Sequence, residues 1–217
     1  MKLLRVGEKG KEKPAILDGD GKIRDISSHV SDLNPDNLNF ETISKIQSVD
    51  TSSLPEISPG QRVGSCITSP GKFVAIGLNY SDHAAEVGAD IPKEPIMFMK
   101  ATSSMCGPND DVEIVSGSKK LDWEVELGIV IGKEAKHISE DQSQDHILGY
   151  CLVNDVSERE WQIEKMGQWV KGKSHDTYGP TGPYLVTKDE IKDINNLKMM
   201  LDVCLLYTSD AADEVDG

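Results

Sequence analysis

At 217 residues, the chain is long enough for one large domain or two smaller ones. Its 37 acidic and 23 basic residues give a formal net charge of -14, which argues against a nucleic-acid partner, because binding a polyanion calls for clustered Lys and Arg. A small anionic ligand is still compatible with this charge if a metal ion and a few cations line its pocket. The mean hydropathy of -0.39 and the lack of a bilayer-length apolar run predict a soluble protein without a membrane partner.

The cysteines predict a reducing compartment. Cys66, Cys106, Cys151 and Cys204 form no Cys-x-x-Cys pair and no disulfide framework. The first residues also turn polar too soon for a secretory signal. We therefore expect a cytoplasmic protein with free, mostly buried thiols.

The first 65 residues are predicted to form a small β-rich domain. Residues 2–6, 14–17 and 22–26 have the composition of short strands and are separated by Gly-rich and charged turns. Residues 38–46 are predicted to form a helix. No residue of this domain points to chemistry, so we interpret it as packing or substrate-shielding structure.

Residues 66–203 are predicted to form the catalytic domain, with strands and helices in mixed order. Strands are expected at 73–78, 95–100, 122–131, 149–157, 184–187 and 197–203, and helices at 79–88, 139–148 and 157–169. The last helix is marked by a capping box that joins Ser157 and Glu160.

Two glutamates, Glu124 and Glu126, lie one residue apart in the predicted strand 122–131. Side chains alternate along a strand, so the two carboxylates would share a face, and the apolar run around them predicts a covered strand. Like charges in such a place repel each other and lose hydration, which a bound cation would relieve. The alternative is an edge strand whose glutamates face the solvent.

A third acid, Asp155, follows the next apolar strand. Three oxygen donors without a Cys or His motif favour Mg²⁺ or Mn²⁺ over Zn²⁺, and three protein ligands leave room for water and substrate. Ca²⁺ is less favoured, because the chain has no loop of alternating acids. The structural alternative for Asp155 is a turn or cap residue.

Two further groups are candidates for acid–base chemistry. His83 and Glu86 lie three apart on a predicted helix, where the carboxylate could orient the imidazole as a base that activates water. The alternative is a surface histidine with a helical partner. Lys173 lies in the Gly- and Pro-rich stretch 171–183, which could present a lysine to an anionic substrate or could be an ordinary solvated loop.

Five stretches in this order resemble the fumarylacetoacetate hydrolase family: residues 76–86, 94–100, 122–132, 154–159 and 171–183. The resemblance covers residues 1–203. It implies an α+β fold, a mixed β-sandwich or roll with a small β-rich N-terminal domain. The opening residues 1–5 and 12–14 resemble the branch that acts on 2,4-diketo-3-deoxy sugar acids and is often labelled ureidoglycolate lyase.

The resemblance also implies roles for the candidate residues. Glu124, Glu126 and Asp155 match the Mg²⁺ or Mn²⁺ ligands; His83 and Glu86 match the water-activating dyad; Lys173 matches the site lysine; Lys100, Arg159 and Gln162 are expected to bind substrate. The implied reaction is hydrolytic carbon–carbon cleavage of a small 2,4-dioxo acid, giving pyruvate and a smaller acid. Ureidoglycolate cleavage, isomerisation and decarboxylation stay open, as does a non-catalytic metal- or acid-binding module. A homodimer is expected by analogy.

The chain departs from the family after residue 203. Residues 204–217 carry several acids and resemble translated sequencing adapter, whereas family members continue with an Asn-Gly turn, further strands and a Gly-Thr-Pro loop. We therefore expect residues 204–217 to be a non-native tail and the C-terminal strands of the family fold to be missing.

Overall fold

Short strands make up most of the regular structure. The computed structural model describes residues 1–86, 88–203 and 207–210, with the backbone alone for residues 86 and 207–210. The strands are β1 (Lys2–Val6), β2 (Lys13–Leu17), β3 (Ile23–Asp25), β4 (Phe73–Gly77), β5 (Ile96–Lys100), β6 (Met105–Cys106), β7 (Leu121–Asp122), β8 (Val125–Ile131), β9 (Ile147–Asn154), β10 (Ser157–Glu158), β11 (Gly179–Pro180), β12 (Leu185–Thr187), β13 (Met200–Val203) and β14 (Tyr207–Asp210).

Helices are few and short in the described residues. The α-helices are α1 (Phe40–Gln47), α2 (Ser81–Glu86) and α3 (Trp169–Lys173). Helical turns of 3-10 type span Thr51–Ser53, Thr102–Ser104, Glu140–His146, Lys188–Glu190 and Ile194–Asn196, and a π-helical turn spans Glu160–Glu164. None of these helices is both long and apolar enough to cross a bilayer.

A six-stranded sheet in the order β3-β2-β1-β12-β9-β8 forms the centre of the fold, and all of its neighbouring strands are antiparallel. Its buried face supplies Leu3, Ile16, Cys151 and Leu185 to the main apolar core. Helix α1 covers this core, because its apolar residues recur on one side while its polar residues face the solvent.

Four two-stranded sheets complete the fold. The antiparallel pairs are β4–β5, β7–β10 and β13–β14, and β6–β11 is parallel. The β4–β5 pair places Lys100 directly opposite Phe73 and ends at Gly77, next to helix α2. This mixture of helices with mainly antiparallel sheets confirms the predicted α+β class.

The predicted N-terminal strands are confirmed as β1, β2 and β3, and the predicted helix is present as α1. Strand β1 also pairs with β12, so the first strands and the later part of the chain share one sheet. The domain boundary at residue 65 stays a prediction.

The prediction of one unbroken strand over residues 122–131 is wrong. Trp123 and Glu124 lie between β7 and β8, so Glu124 is outside the strand that contains Glu126. The cause is a tertiary contact: the Glu124 N–H donates to the side-chain oxygen of Asn154 at 3.1 Å. The Glu124 carbonyl accepts from the Asp155 N–H at 2.9 Å, which draws the two acids' backbones together.

The prediction of one helix over residues 157–169 is also wrong, since this stretch contains β10, the π-helical turn Glu160–Glu164 and the first residue of α3. Ser157 and Glu158 form β10, and the Ser157 hydroxyl donates to the Asp155 carbonyl at 2.8 Å instead of capping a helix. The Glu158 carboxylate is fully buried and accepts the N–H groups of Lys119 and Lys120 at 3.1 Å. Pairing with the 118–122 segment therefore outweighs the local helix signal.

The prediction of free, buried thiols is confirmed for three of the cysteines, since Cys66, Cys106 and Cys151 are buried and form no disulfide bond. Cys204 lies outside the described residues. The predicted non-native tail, residues 204–217, also lies outside them, except for the backbone of β14.

Glu12 allows a test of this fold in acid. Its carboxylate accepts from Arg62 at 2.7 Å and from Arg5 at 3.4 Å, and its side chain is 6% exposed. Burial raises the pKa of Glu12, but the hydrogen bond from Arg62 and the charge of Arg5 outweigh burial and bring it below 4.5. The ion pair thus stabilises the fold above pH 4.5, and this contribution is lost as the pH falls through the lowered folded-state pKa.

We expect Glu12→Gln to lower the free energy of unfolding by about 1–3 kcal/mol at pH 7 and to flatten its decline in acid. Urea unfolding of both proteins from pH 7 to about pH 3 measures this. Glu8→Gln is the control, because Glu8 is 80% exposed and its ion pair with Lys11 is exposed as well. Equal acid slopes for the wild type and Glu12→Gln would contradict the prediction.

Candidate active site

A cleft of about 360 Å³ opens where β4, α2, the start of β8, the π-helical turn and α3 meet. Its polar lining residues are Asn79, Tyr80, His83, Glu124, Glu126, Arg159, Gln162 and Lys173. Six of the nine predicted site residues are among them. Of the other three, Asp155 and Lys100 lie buried beneath the cleft, and the Glu86 side chain lies outside the described residues.

An aromatic pair forms one wall of the cleft. Phe98 of β5 and Trp169 of α3 meet edge to face with ring centroids 5.2 Å apart. Gly77 leaves room for this wall, because a Cβ atom there would lie 2.6 Å from the Trp169 ring. The aromatic wall and the adjoining acids give the cleft one apolar and one charged side.

Lys173 joins two of the predicted metal ligands. Its Nζ lies 2.6 Å from Glu124 Oε2 and 2.9 Å from Asp155 Oδ2, and its side chain is 2% exposed. The ammonium also lies 5.2 Å from the Phe98 ring centre, a favourable cation–π distance. Helix α3 can present Lys173 here because Gly172 lets the helix lie against the backbone of Glu158.

Lys100 supports Asp155 from below. Its Nζ lies 2.6 Å from Asp155 Oδ1 and donates to the carbonyls of Val156, at 3.3 Å, and Lys173. Burial lowers the pKa of Lys100, and the charge of Asp155 opposes this shift. The Lys100 side chain is 1% exposed and contacts Asp155 and the backbone of Lys173. It therefore lies under the predicted substrate-binding surface.

Arg159 connects the cleft to β7. Its Nη1 lies 2.6 Å from Glu124 Oε1 and donates to Gln162 Oε1 at 3.1 Å. Its Nε and Nη2 lie 2.8 Å and 2.6 Å from Asp122 Oδ2. The guanidinium is therefore shared between an acid of the cleft and an acid at the end of β7.

Glu126 has a different environment from the other two acids. Its Oε2 accepts from Asn79 Nδ2 at 3.1 Å and from the Tyr80 hydroxyl at 3.2 Å. Burial, together with the nearby negative charges of Glu124 and Asp155, raises the pKa of Glu126 to about 7. This mutual influence means that the three carboxylates form one electrostatic cluster.

His83 lies on α2 and lines the cleft. The helix that was predicted to carry His83 and Glu86 is confirmed by the backbone. The contact between their side chains stays a prediction.

Three further residues contact the predicted site residues and were not predicted from the sequence: Asn79, Tyr80 and Asp122. All three lie within the stretches that resemble the family, but each also reads as an ordinary turn or strand residue. Their roles depend on contacts with residues about 37 to 47 positions away, which no local pattern encodes.

The contacts of the three carboxylates bear on whether they can hold a divalent metal ion. Within the described residues, no three His, Cys, Asp or Glu side chains form a ready metal-binding group. Lys173, Lys100 and Arg159 instead contact the oxygens of Glu124 and Asp155. The donor set is nevertheless suited to a hard cation, since Glu124, Glu126 and Asp155 supply oxygen donors alone.

Comparisons with known proteins agree with this fold. Residues 72–213 match the family model described as Fumarylacetoacetate (FAA) hydrolase C-terminal. A protein named "Putative hydrolase" from Burkholderia multivorans is 56% identical over 203 residues, which are 94% of this chain and 72% of that protein. The matches define the protein as a hydrolase-type enzyme.

Two solved structures extend the comparison. Fumarylacetoacetate hydrolase from Exiguobacterium antarcticum is 29% identical with a TM-score of 0.74, over 92% of this chain and 70% of that one. Maleylpyruvate hydrolase from Sphingobium sp. SYK-6, solved with manganese(II) and pyruvate, is 23% identical with a TM-score of 0.78, over 98% and 78%. The second likeness shows the fold alone. The chain belongs to the fumarylacetoacetate hydrolase family, and its predicted fold type is confirmed.

Proposed function

We propose that the protein is a Mg²⁺- or Mn²⁺-dependent hydrolase that cleaves a carbon–carbon bond of a small 2,4-dioxo acid, giving pyruvate and a smaller acid. One observation carries the proposal: two carboxylates, a histidine and two cationic side chains line one cleft of about 360 Å³, with the carboxylate of Asp155 buried beneath it. A cleft of this size suits a small acid, and its mixed charges suit a substrate that is anionic and changes charge during reaction.

Binding of the acid would use the cationic side of the cleft. Arg159 can donate a charge-assisted hydrogen bond through Nη1 to a carboxylate, and Gln162 next to it has an amide that can orient the same group. The wall formed by Phe98 and Trp169 would cover the far end of the substrate and exclude water.

Bond cleavage would begin with His83. Its imidazole would take a proton from water, Glu86 would orient the ring, and the hydroxyl would add to the 4-oxo carbon. The bond between C3 and C4 then breaks, its electron pair stays with the pyruvate fragment as an enolate, and a proton returned to C3 completes pyruvate. Lys173, held by Glu124 and Asp155, would stabilise the developing anion or relay that proton.

Glu124, Glu126 and Asp155 would hold the divalent ion, with Lys100 fixing Asp155 from below. A bound ion would supply positive charge that stabilises the enolate developing on the substrate. A cytoplasmic location and a homodimer belong to the same proposal, as does the 2,4-diketo-3-deoxy sugar acid class as the first set of substrates to test.

The decisive experiment detects pyruvate released from a set of 2,4-dioxo acids, with Mg²⁺, with Mn²⁺ and with a chelator. We expect release only with a metal ion, and a loss of about 10²–10⁴-fold in kcat for His83→Ala, because a general base contributes about that much. His137→Ala is the control, since His137 is an exposed histidine at positive φ outside the cleft.

Two results would overturn the proposal. Metal-dependent ligand binding without pyruvate release from any dioxo acid would favour a non-catalytic binding module. Equal activity of His83→Ala and the wild type would remove His83 from the mechanism.

A further inference from the structure

Both oxygens of Glu124 are already occupied by basic side chains. Lys173 contacts Oε2 at 2.6 Å and Arg159 contacts Oε1 at 2.6 Å. A divalent ion that binds Glu124 would lie beside both of these cations, and the repulsion between like charges would favour the displacement of one of them. The two competitors differ in their surroundings, and that difference decides which one can give way.

Lys173 is poorly placed to release its acids. Its side chain is 2% exposed and bridges Glu124 and Asp155. If a buried ammonium moves away from two carboxylates, all three charges lose their partners. The free-energy cost is large because water cannot solvate them in the buried site. We expect Lys173 to remain in the cluster.

Arg159 has the properties of an exchangeable partner. Its side chain is 27% exposed and faces the cleft. It contacts Asp122 through Nε and Nη2, whereas it contacts Glu124 through Nη1. The guanidinium can therefore release Glu124 and still be held by Asp122, with one donor group turned toward the cleft.

We propose that Arg159 exchanges Glu124 for the substrate carboxylate when a divalent ion binds the carboxylate cluster. This exchange rests on the proposed function and deepens it. Arg159 would oppose binding of the divalent ion while it contacts Glu124, and would bind the substrate carboxylate once it is released. The ion and the acid would thus each favour the binding of the other through Arg159.

This exchange predicts effects of opposite sign from one substitution. Arg159→Met removes a competitor for Glu124, so Mn²⁺ binding should tighten by about fivefold, the value of a part-exposed ion pair. The same variant lacks the charged Nη1 donor, so pyruvate binding at saturating Mn²⁺ should weaken by about tenfold or more. A residue that served only the fold would weaken both.

Calorimetric titration of the chelator-treated protein with Mn²⁺, then with pyruvate, measures both constants without any turnover. Lys165→Met is the matched control: it removes a positive charge from the same segment, but Lys165 is 49% exposed and contacts Glu160 at 3.5 Å. Its Mn²⁺ affinity should stay within about twofold of the wild type. Arg159→Gln replaces Arg159→Met if the latter unfolds, as judged by circular dichroism.

The outcomes separate the two proposals. Wild-type protein that binds no Mn²⁺ would overturn the proposed function together with the exchange. Wild-type binding with unchanged or weaker Mn²⁺ affinity in the Arg159 variants would overturn the exchange alone. Equal tightening in Lys165→Met would also overturn it, because general charge would then account for the effect.

Discussion

Lys100→Met should destabilise the protein more than any other single substitution discussed for this chain. The variant leaves Asp155 Oδ1, 2.6 Å from the missing ammonium, and two carbonyls without their buried donor. Removing one partner of a buried pair costs about 3–5 kcal/mol. Lys173 still contacts the other Asp155 oxygen at 2.9 Å, so we expect a loss near the lower end of this range. Urea unfolding at pH 7 should give a loss in this range.

The control for this prediction is Lys45→Met. Lys45 pairs with Glu41 at 2.6 Å on α1, but both side chains are more than two-thirds exposed. Such helical surface pairs contribute only about 0.3–0.5 kcal/mol. A Lys100→Met variant as stable as Lys45→Met would show that Asp155 does not depend on Lys100.

Glu124→Gln should abolish most of the metal-dependent activity of the proposed enzyme. The substitution removes a negative charge that would help hold the ion, while its amide oxygen can still accept from Lys173 or Arg159. We expect kcat to fall by about 10²–10³-fold, the usual loss when one preorganised electrostatic group is removed. Raising the Mg²⁺ concentration should recover part of the activity.

The pyruvate assay over a Mg²⁺ series measures this effect, with Glu134→Gln as the control at an exposed position away from the cleft. Retention of wild-type activity and metal dependence in Glu124→Gln would remove this residue from the proposed ion site. Urea unfolding curves of both variants show whether a loss of activity comes from the altered site or from unfolding of the protein.

Much of the fold was predictable because its strands carry local signals. The turns around residues 7–13 and 18–22 bound β1, β2 and β3, and the alternating or continuous apolar runs mark β4, β5, β8 and β9. The errors occurred where tertiary contacts override local preference. Ser157 and Glu160 have the spacing of a capping box, yet pairing of β10 with β7 and the burial of Glu158 place strand where helix was predicted.

The residues that line the site were more predictable from the sequence than the ion pairs that they form with one another. Six of the predicted residues line one cleft, since the stretches that carry them are brought together by the family fold. The ion pairs of Lys173, Lys100 and Arg159 with Glu124 and Asp155 were not predicted. Each joins residues far apart in the chain, so their distances depend on the folded backbone and not on any spacing in the sequence.

A Mn²⁺ titration of the chelator-treated protein, followed by electron paramagnetic resonance, tests the central claim most directly. If Glu124, Glu126 and Asp155 share one divalent ion, the wild type should bind about one Mn²⁺ per chain, and Glu126→Gln and Asp155→Asn should each weaken binding by about tenfold or more. Glu134→Gln should bind like the wild type. Absence of Mn²⁺ binding, or binding that neither cluster variant weakens, would contradict the account.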